Sequence, residues 1–91
     1  MEVDYDPVKR AWTLEHRELD FDDAPLVWAQ AHFDFEDTRT DYGEIRICTV
    51  GSLRERMVMI VWIDRGAAPR RIISMRKCND REQARYRRYL P

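Results

Sequence analysis

The sequence predicts an α+β fold, with an antiparallel sheet of about four strands, two helices before it and one after. Three observations predict it. Apolar residues recur every three or four positions up to Ala31, the period drops to two from His32 onward, and Asn79-Asp-Arg-Glu82 has the pattern of a capping box that opens a last helix.

The opening Met1-Glu-Val-Asp-Tyr5 alternates apolar and acidic residues as a half-buried strand does. Asp6-Pro7 then supplies a cap and a proline at the first helical position, which starts a helix from about Pro7 to His16. Its expected buried stripe is Val8, Ala11, Trp12 and Leu14 or their neighbours, with Lys9, Arg10 and Glu15 nearer to solvent. Asp20 or a nearby Asp caps a second helix carrying Phe21, Ala24, Val27, Trp28 and Ala31, whose first turn is restricted by Pro25.

Phe33 and Phe35 alternate with His32, Asp34 and Glu36, and Ile45, Ile47 and Thr49 alternate with Arg46, Cys48 and Val50. Asp41-Tyr-Gly43 between these runs reads as the loop of a hairpin, and a second turn is expected near Gly51 to Arg54. Met57-Val-Met-Ile-Val-Trp-Ile63 is apolar on both faces and so reads as a central strand. After the turn Asp64-Arg-Gly66-Ala-Ala-Pro69 comes the strand Arg70-Arg-Ile-Ile-Ser-Met-Arg76. Regular alternation there sets Arg70, Ile72, Ser74 and Arg76 on one face and Arg71, Ile73 and Met75 on the other. The last helix bears Ala84, Tyr86 and Tyr89 among arginines.

At 91 residues the chain reads as one domain, residues 1–91, whose small core makes an obligate partner plausible. The net charge of -1 conceals an asymmetry. Met1 to Glu44 holds 13 Asp/Glu against 4 Lys/Arg, whereas Arg70 to Pro91 holds 8 Lys/Arg against 2 Asp/Glu. Basic residues gathered on one surface attract phosphate whatever the total charge, because screening over about 8 Å leaves the local field in command. The plain alternative is a solvated helix face. Cys48 and Cys78 form neither a CxxC pair nor a metal-ligand spacing, and no apolar run is long enough to span a bilayer. The acidic N-terminus opposes a targeting signal, so the expected location is the cytoplasm.

No Gly-rich phosphate loop, HExxH, CxxC or nucleophile elbow is present, which argues against hydride, ATP and zinc chemistry. What remains is a set of cations and carboxylates on or beside strands: Glu44, Arg46, Arg65, Arg71, Arg76 and Lys77. Metal-free cleavage of RNA needs a base for the 2′-hydroxyl, cations for the pentacoordinate phosphorus and an acid for the leaving 5′-oxygen, and such a set suits the second need. Structural roles stand beside these. Arg71 can pair with an acid such as Glu44, Arg76 can cap the sheet end, and Glu44 and Arg46 can be a mere cross-strand ladder. His16 and His32 fall at element ends, where a histidine usually meets solvent, and Trp12, Trp28 and Trp62 read as core before they read as base-stacking platforms.

Tyr5-Asp-Pro-Val-Lys-Arg-Ala-Trp12, Leu19-Asp-Phe-Asp-Asp-Ala24, Phe35-Glu-Asp-Thr-Arg39, Asp41-Tyr-Gly-Glu-x-Arg46, Gly51 and Arg70-Arg-Ile-Ile-Ser-Met-Arg-Lys77, followed by Arg81-Glu82 and Tyr86, together resemble the BrnT toxins in order and spacing. The resemblance covers nearly the whole chain, and departs from the family early, at Thr13 and Glu15-His-Arg-Glu18, and at Cys78. It implies a RelE-like fold and a metal-independent endoribonuclease that halts translation, with no cofactor. It also implies neutralisation by a BrnA antitoxin with a ribbon-helix-helix domain, in a heterotetramer that represses its own operon and touches operator DNA through the antitoxin. Carried onto this sequence, it makes Glu44, Arg46, Arg71 and Arg76 the candidate catalytic residues. Lys77, Lys9 and Tyr86 become candidates for substrate binding. A non-catalytic antitoxin partner and co-repressor, and a structural interaction domain, remain the competing readings.

Overall fold

The computed structural model describes residues 1–90. Its elements run β1 (Val3–Asp4), α1 (Pro7–Arg17), a 3-10 turn (Phe21–Asp23), α2 (Ala24–Trp28), β2 (His32–Glu36), β3 (Arg46–Leu53), β4 (Arg56–Ile63), β5 (Arg70–Lys77), α3 (Asp80–Tyr86) and a second 3-10 turn (Arg87–Tyr89). The strands form one sheet in the order β1-β5-β4-β3-β2. The α+β class holds, with five strands instead of about four: the alternating N-terminus pairs parallel with β5, Val3 opposite Arg70 and Asp4 opposite Arg71, while the other neighbours are antiparallel.

α1 begins where expected, with the Asp6 carboxylate accepting the Val8 N–H at 2.9 Å and Pro7 in the first turn. The expected buried stripe is overturned. Thr13 is the buried residue of α1, whereas Val8 is 75% exposed, Trp12 48%, and Ala11 and Leu14 also face solvent. The reason is position: α1 lies beside β5 and the first 3-10 turn instead of over the sheet centre. Polar anchors hold it there, with Arg10 donating twice to Asp20 at 2.9 Å and Arg17 donating to the Met75 carbonyl at 3.0 Å.

The sheet centre is covered by Phe21, Ala24, Val27 and Trp28, which pack on Leu53, Val58, Ile60, Trp62, Ile72 and Met75. Ala31, expected on the same stripe, is exposed, because the helix stops at Trp28 and the chain turns into β2. One buried polar node sits in this layer. The Thr49 hydroxyl accepts the indole N–H of Trp62 at 2.8 Å and of Trp28 at 3.1 Å and donates to Asp34 at 2.6 Å, which uses its full capacity.

Gly51, expected in a turn, is a buried residue of β3. A Cβ there would lie 2.7 Å from Val27 Cγ1, so its absence sets how closely α2 approaches the sheet. The β3–β4 turn falls instead at Arg54 and Glu55, with φ 48° and 67°. Both residues take the left-handed conformation that a two-residue hairpin demands, without the Asn or Gly that usually supplies it.

The regular alternation expected along β5 is also overturned. Val61 pairs with Ser74 and Trp62 with Ile72, so Ile73 is an extra residue at a bulge. The phase shifts there by one. Ile72 and Met75 both enter the layer under α2, while their neighbours across β4 place Arg71, Ser74 and Arg76 together on the opposite face.

Candidate functional site

That opposite face carries a smaller cluster of Cys48, Val50, Met59 and Cys78, against which Phe33, Val61, Tyr86 and Leu90 pack. α3 covers only part of it. The remainder is a groove of about 510 Å3 between the chain leaving β2 and the helix, floored by Cys48, Met59, Val61, Ser74 and Arg76.

Arg76 is the most constrained cation in the groove. Its Nη1 and Nη2 donate to the two Glu82 oxygens at 2.7 and 2.6 Å. Glu82 is fixed in turn, accepting the Asn79 N–H at 3.0 Å while the Asn79 side chain accepts the Glu82 N–H at 2.9 Å, the reciprocal bonds of a capping box. The guanidinium lowers the Glu82 carboxyl to about 2, so it is ionised at neutral pH and unsuited to act as an acid. Two of the five guanidinium N–H bonds are spent on it, and two more make only long contacts, Nη1 to the Lys77 carbonyl at 3.4 Å and Nη2 to the Met59 sulfur at 3.6 Å, which an oxyanion can displace.

On the facing wall Asp37 is buried and accepts two bonds from Arg39 at 2.8 Å and one from the Tyr42 hydroxyl at 3.3 Å. The Arg39 guanidinium beside it holds the Asp37 carboxyl well below the usual range. Arg39 itself stays 79% exposed along its side chain, a second cation at the groove wall that sequence reasoning assigned no role. It stood inside the Phe35-Glu-Asp-Thr-Arg39 piece, and its two-residue spacing from Asp37 was the available signal.

Glu44 and Arg46 pair at 3.2 Å just beyond this wall, where Arg46 also stacks on the Tyr42 ring with 4.0 Å to its centre. Tyr42 thus joins them to the Asp37–Arg39 pair. Tyr86 lines the groove beside Arg76. Arg71 lies on the same sheet face but is paired with Asp4 at 3.0 Å, a carboxylate it shares with Arg65. The structural partner foreseen for Arg71 was an acid such as Glu44, and that partner is Asp4. Lys77 opens with Arg76 onto a different recess, beside His16 and Arg17, and Lys9 stands next to Trp12 and Ile73 on the outer side of β5. The structure therefore brings Arg76 and Tyr86 together in the groove, connects Glu44 and Arg46 to its wall only through Tyr42, and leaves Arg71, Lys77 and Lys9 outside.

Both cysteines are buried free thiols, and burial pushes the Cys78 thiol up to about 11 and raises that of Cys48, which disarms them as nucleophiles. His16 stacks on Trp12 at 4.6 Å between ring centres, and His32 contacts the Gln30 carbonyl.

The groove joins a fixed arginine, a second exposed arginine and a tyrosine, a set suited to a phosphodiester. The model of a family described as "Ribonuclease toxin, BrnT, of type II toxin-antitoxin system" matches residues 5–82. The chain belongs to the BrnT family. It is thus a ribonuclease toxin of a type II system, with RNA as substrate and an antitoxin as partner. No curated protein matches the sequence. Among solved structures the chain resembles the Brucella abortus ribonuclease toxin BrnT, with a TM-score of 0.68 and 22% identity over 88% of this chain and 99% of that one. At that identity the likeness speaks for the fold. The BrnT match takes in α1, β2 to β5 and the Arg76–Glu82 pair, and so most of the groove, with β1, Arg85 and Tyr86 outside its span. Among the described residues no helix is long and apolar enough to cross a membrane.

Proposed function

We propose that the groove cleaves RNA internally without a metal, by attack of a ribose 2′-oxygen on the adjacent phosphorus with expulsion of the 5′-oxygen. The observation that carries this is the Arg76 guanidinium, held on the groove floor by two short bonds to Glu82 while its other contacts are long enough for an oxyanion to displace. It binds the non-bridging oxygens and stabilises the charge that grows on them, supported by Arg39 from the facing wall. Glu44, beyond the Asp37–Arg39 wall, takes the 2′-proton, Arg46 orients Glu44 through their ion pair, and the leaving 5′-oxygen takes its proton from water. Tyr86 positions the nucleotide. Lys77 meets a phosphate leaving the groove past Arg76, whereas Arg71, tied to Asp4, and Lys9, on the outer side of β5, are assigned no step.

The partner is a BrnA-type ribbon-helix-helix antitoxin, which forms a heterotetramer with the toxin in the cytoplasm and carries the contact with operator DNA. The exposed Val8 and Trp12 face of α1 supports the need for company.

Inducing the chain alone is expected to arrest growth and fragment RNA. Glu44→Ala and Arg76→Ala, each checked for folding, are expected to abolish both effects, and co-expressed antitoxin to relieve them. Intact RNA and unimpaired growth with the wild type would replace this reading with the non-catalytic co-repressor.

A further inference from the structure

Past Phe35 the groove opens into a second depression of about 510 Å3, and the two share Phe35, Arg85 and Tyr86. Phe33, Tyr89 and Arg88 complete its lining, which among the described residues contains aromatic rings and arginines and no carboxylate. The rings form one assembly: Phe33 lies 5.4 Å from Tyr86 and 5.1 Å from Tyr89 between centres, and Phe35 lies 6.0 Å from Tyr86 in a stacked arrangement. Arg88 stands over Tyr89 at 5.4 Å. The depression sits at the margin of the sheet, because β2 is the outermost strand on that side.

Packing accounts for part of this assembly. Phe33 and Tyr86 close the small cluster under α3. Tyr89, 57% exposed, and Phe35, 37% exposed, add little to that cluster and instead present ring surface to solvent. Exposed rings beside arginines, continuous with a groove for a phosphodiester, have the chemistry that holds unpaired bases: stacking on the rings and cationic contact with the backbone.

We propose that Phe35 and Tyr89, flanked by Arg85 and Arg88, form a base-stacking subsite for single-stranded RNA, which holds an unpaired nucleotide adjoining the one that is cleaved. This rests on the reading of the Arg76 groove as the RNA site. The subsite makes the enzyme select unpaired RNA, since a base within a duplex cannot lie against these rings.

The test uses the full chain and a six-nucleotide 2′-O-methylated strand, whose blocked nucleophile prevents cleavage. An abasic position is moved along it. Tyr89→Leu and Phe35→Leu keep apolar volume and remove the ring, and each is expected to weaken binding about 10-fold with circular dichroism unchanged. Tyr89→Trp is expected to restore affinity. One abasic position should cost the wild type a similar factor and cost Tyr89→Leu nothing more. Wild-type affinity in both leucine variants, or an abasic penalty equal in variant and wild type, overturns the subsite and hands the rings to a protein partner. A wild-type chain that neither binds the strand nor cleaves unmodified RNA overturns the groove reading as well, so the two failures are distinguishable.

Discussion

Beneath α2 the sheet keeps its polar business inside: the Thr49 hydroxyl satisfies both buried indoles, and the rest of the layer is apolar and closed. Beneath α3 the same strands present Arg76, Ser74 and Cys48 to a groove, and charge is balanced at its walls by Glu82 and Asp37. One face therefore holds the fold and the other carries the proposed site. Substitutions on the two should separate stability from activity.

The largest effect is expected on the open face. Arg76→Ala should lower RNA cleavage about 100- to 1000-fold, by analogy with the loss of one donor to a charged transition state, while Arg76→Lys keeps the charge but loses the two-pronged bond to Glu82. Single-turnover cleavage measures the loss, and a fully active, folded Arg76→Ala protein would sink the assignment. On the closed face, Thr49→Val should leave both indole N–H groups without a partner and cost about 3 kcal/mol. Calorimetry should show Tm lower by about 15 °C, with cleavage per folded molecule unchanged; an unchanged Tm would deny the node its role. Gly51→Ala, which presses a methyl against Val27, is expected to cost about 2 kcal/mol in urea unfolding.

A smaller effect is expected with pH. The Glu82 carboxyl is lowered in the folded state to about 2 from an ordinary 4.5. Its contribution is present above about pH 4.5 and lost as pH falls towards 2. Urea midpoints of Glu82→Gln should therefore fall less steeply than wild type across that interval, and equal slopes would contradict the pairing. The smallest change is a gain. Replacing Arg54-Glu55 by Asn-Gly relieves two left-handed residues and should raise stability by about 1 kcal/mol, without touching cleavage.

Much of the closed face was legible because burial leaves a period. Phe21, Ala24, Val27 and Trp28 are spaced as a helix spaces its inner side, β2 and β3 alternate as expected, and β4, apolar on both faces, is the central strand. Two features left no such trace. The Val8–Trp12 stripe of α1 has the same apolar spacing whether it meets its own sheet or another molecule, and only position decides. The bulge at Ile73 is hidden because Ile72 and Ile73 are alike, so nothing in their kind marks where the phase slips. At the site, Arg76 and Tyr86 were legible from a family pattern, whereas Arg39 is defined by its partner Asp37 across a loop and belongs to no regular period.

The bulge has a consequence for how this strand can vary. From Ser74 onward each side chain of β5 keeps its face because the bulge leaves Ile73 unpaired, so an unbroken ladder with Ile73 paired would exchange Met75 with Arg76 between the two faces. The thioether would then lie in the groove and the guanidinium in the core. Every amino acid needed for catalysis would still be encoded, in the right order, by a chain unable to use it. In this strand the proposed site depends on the pairing register as much as on the letters.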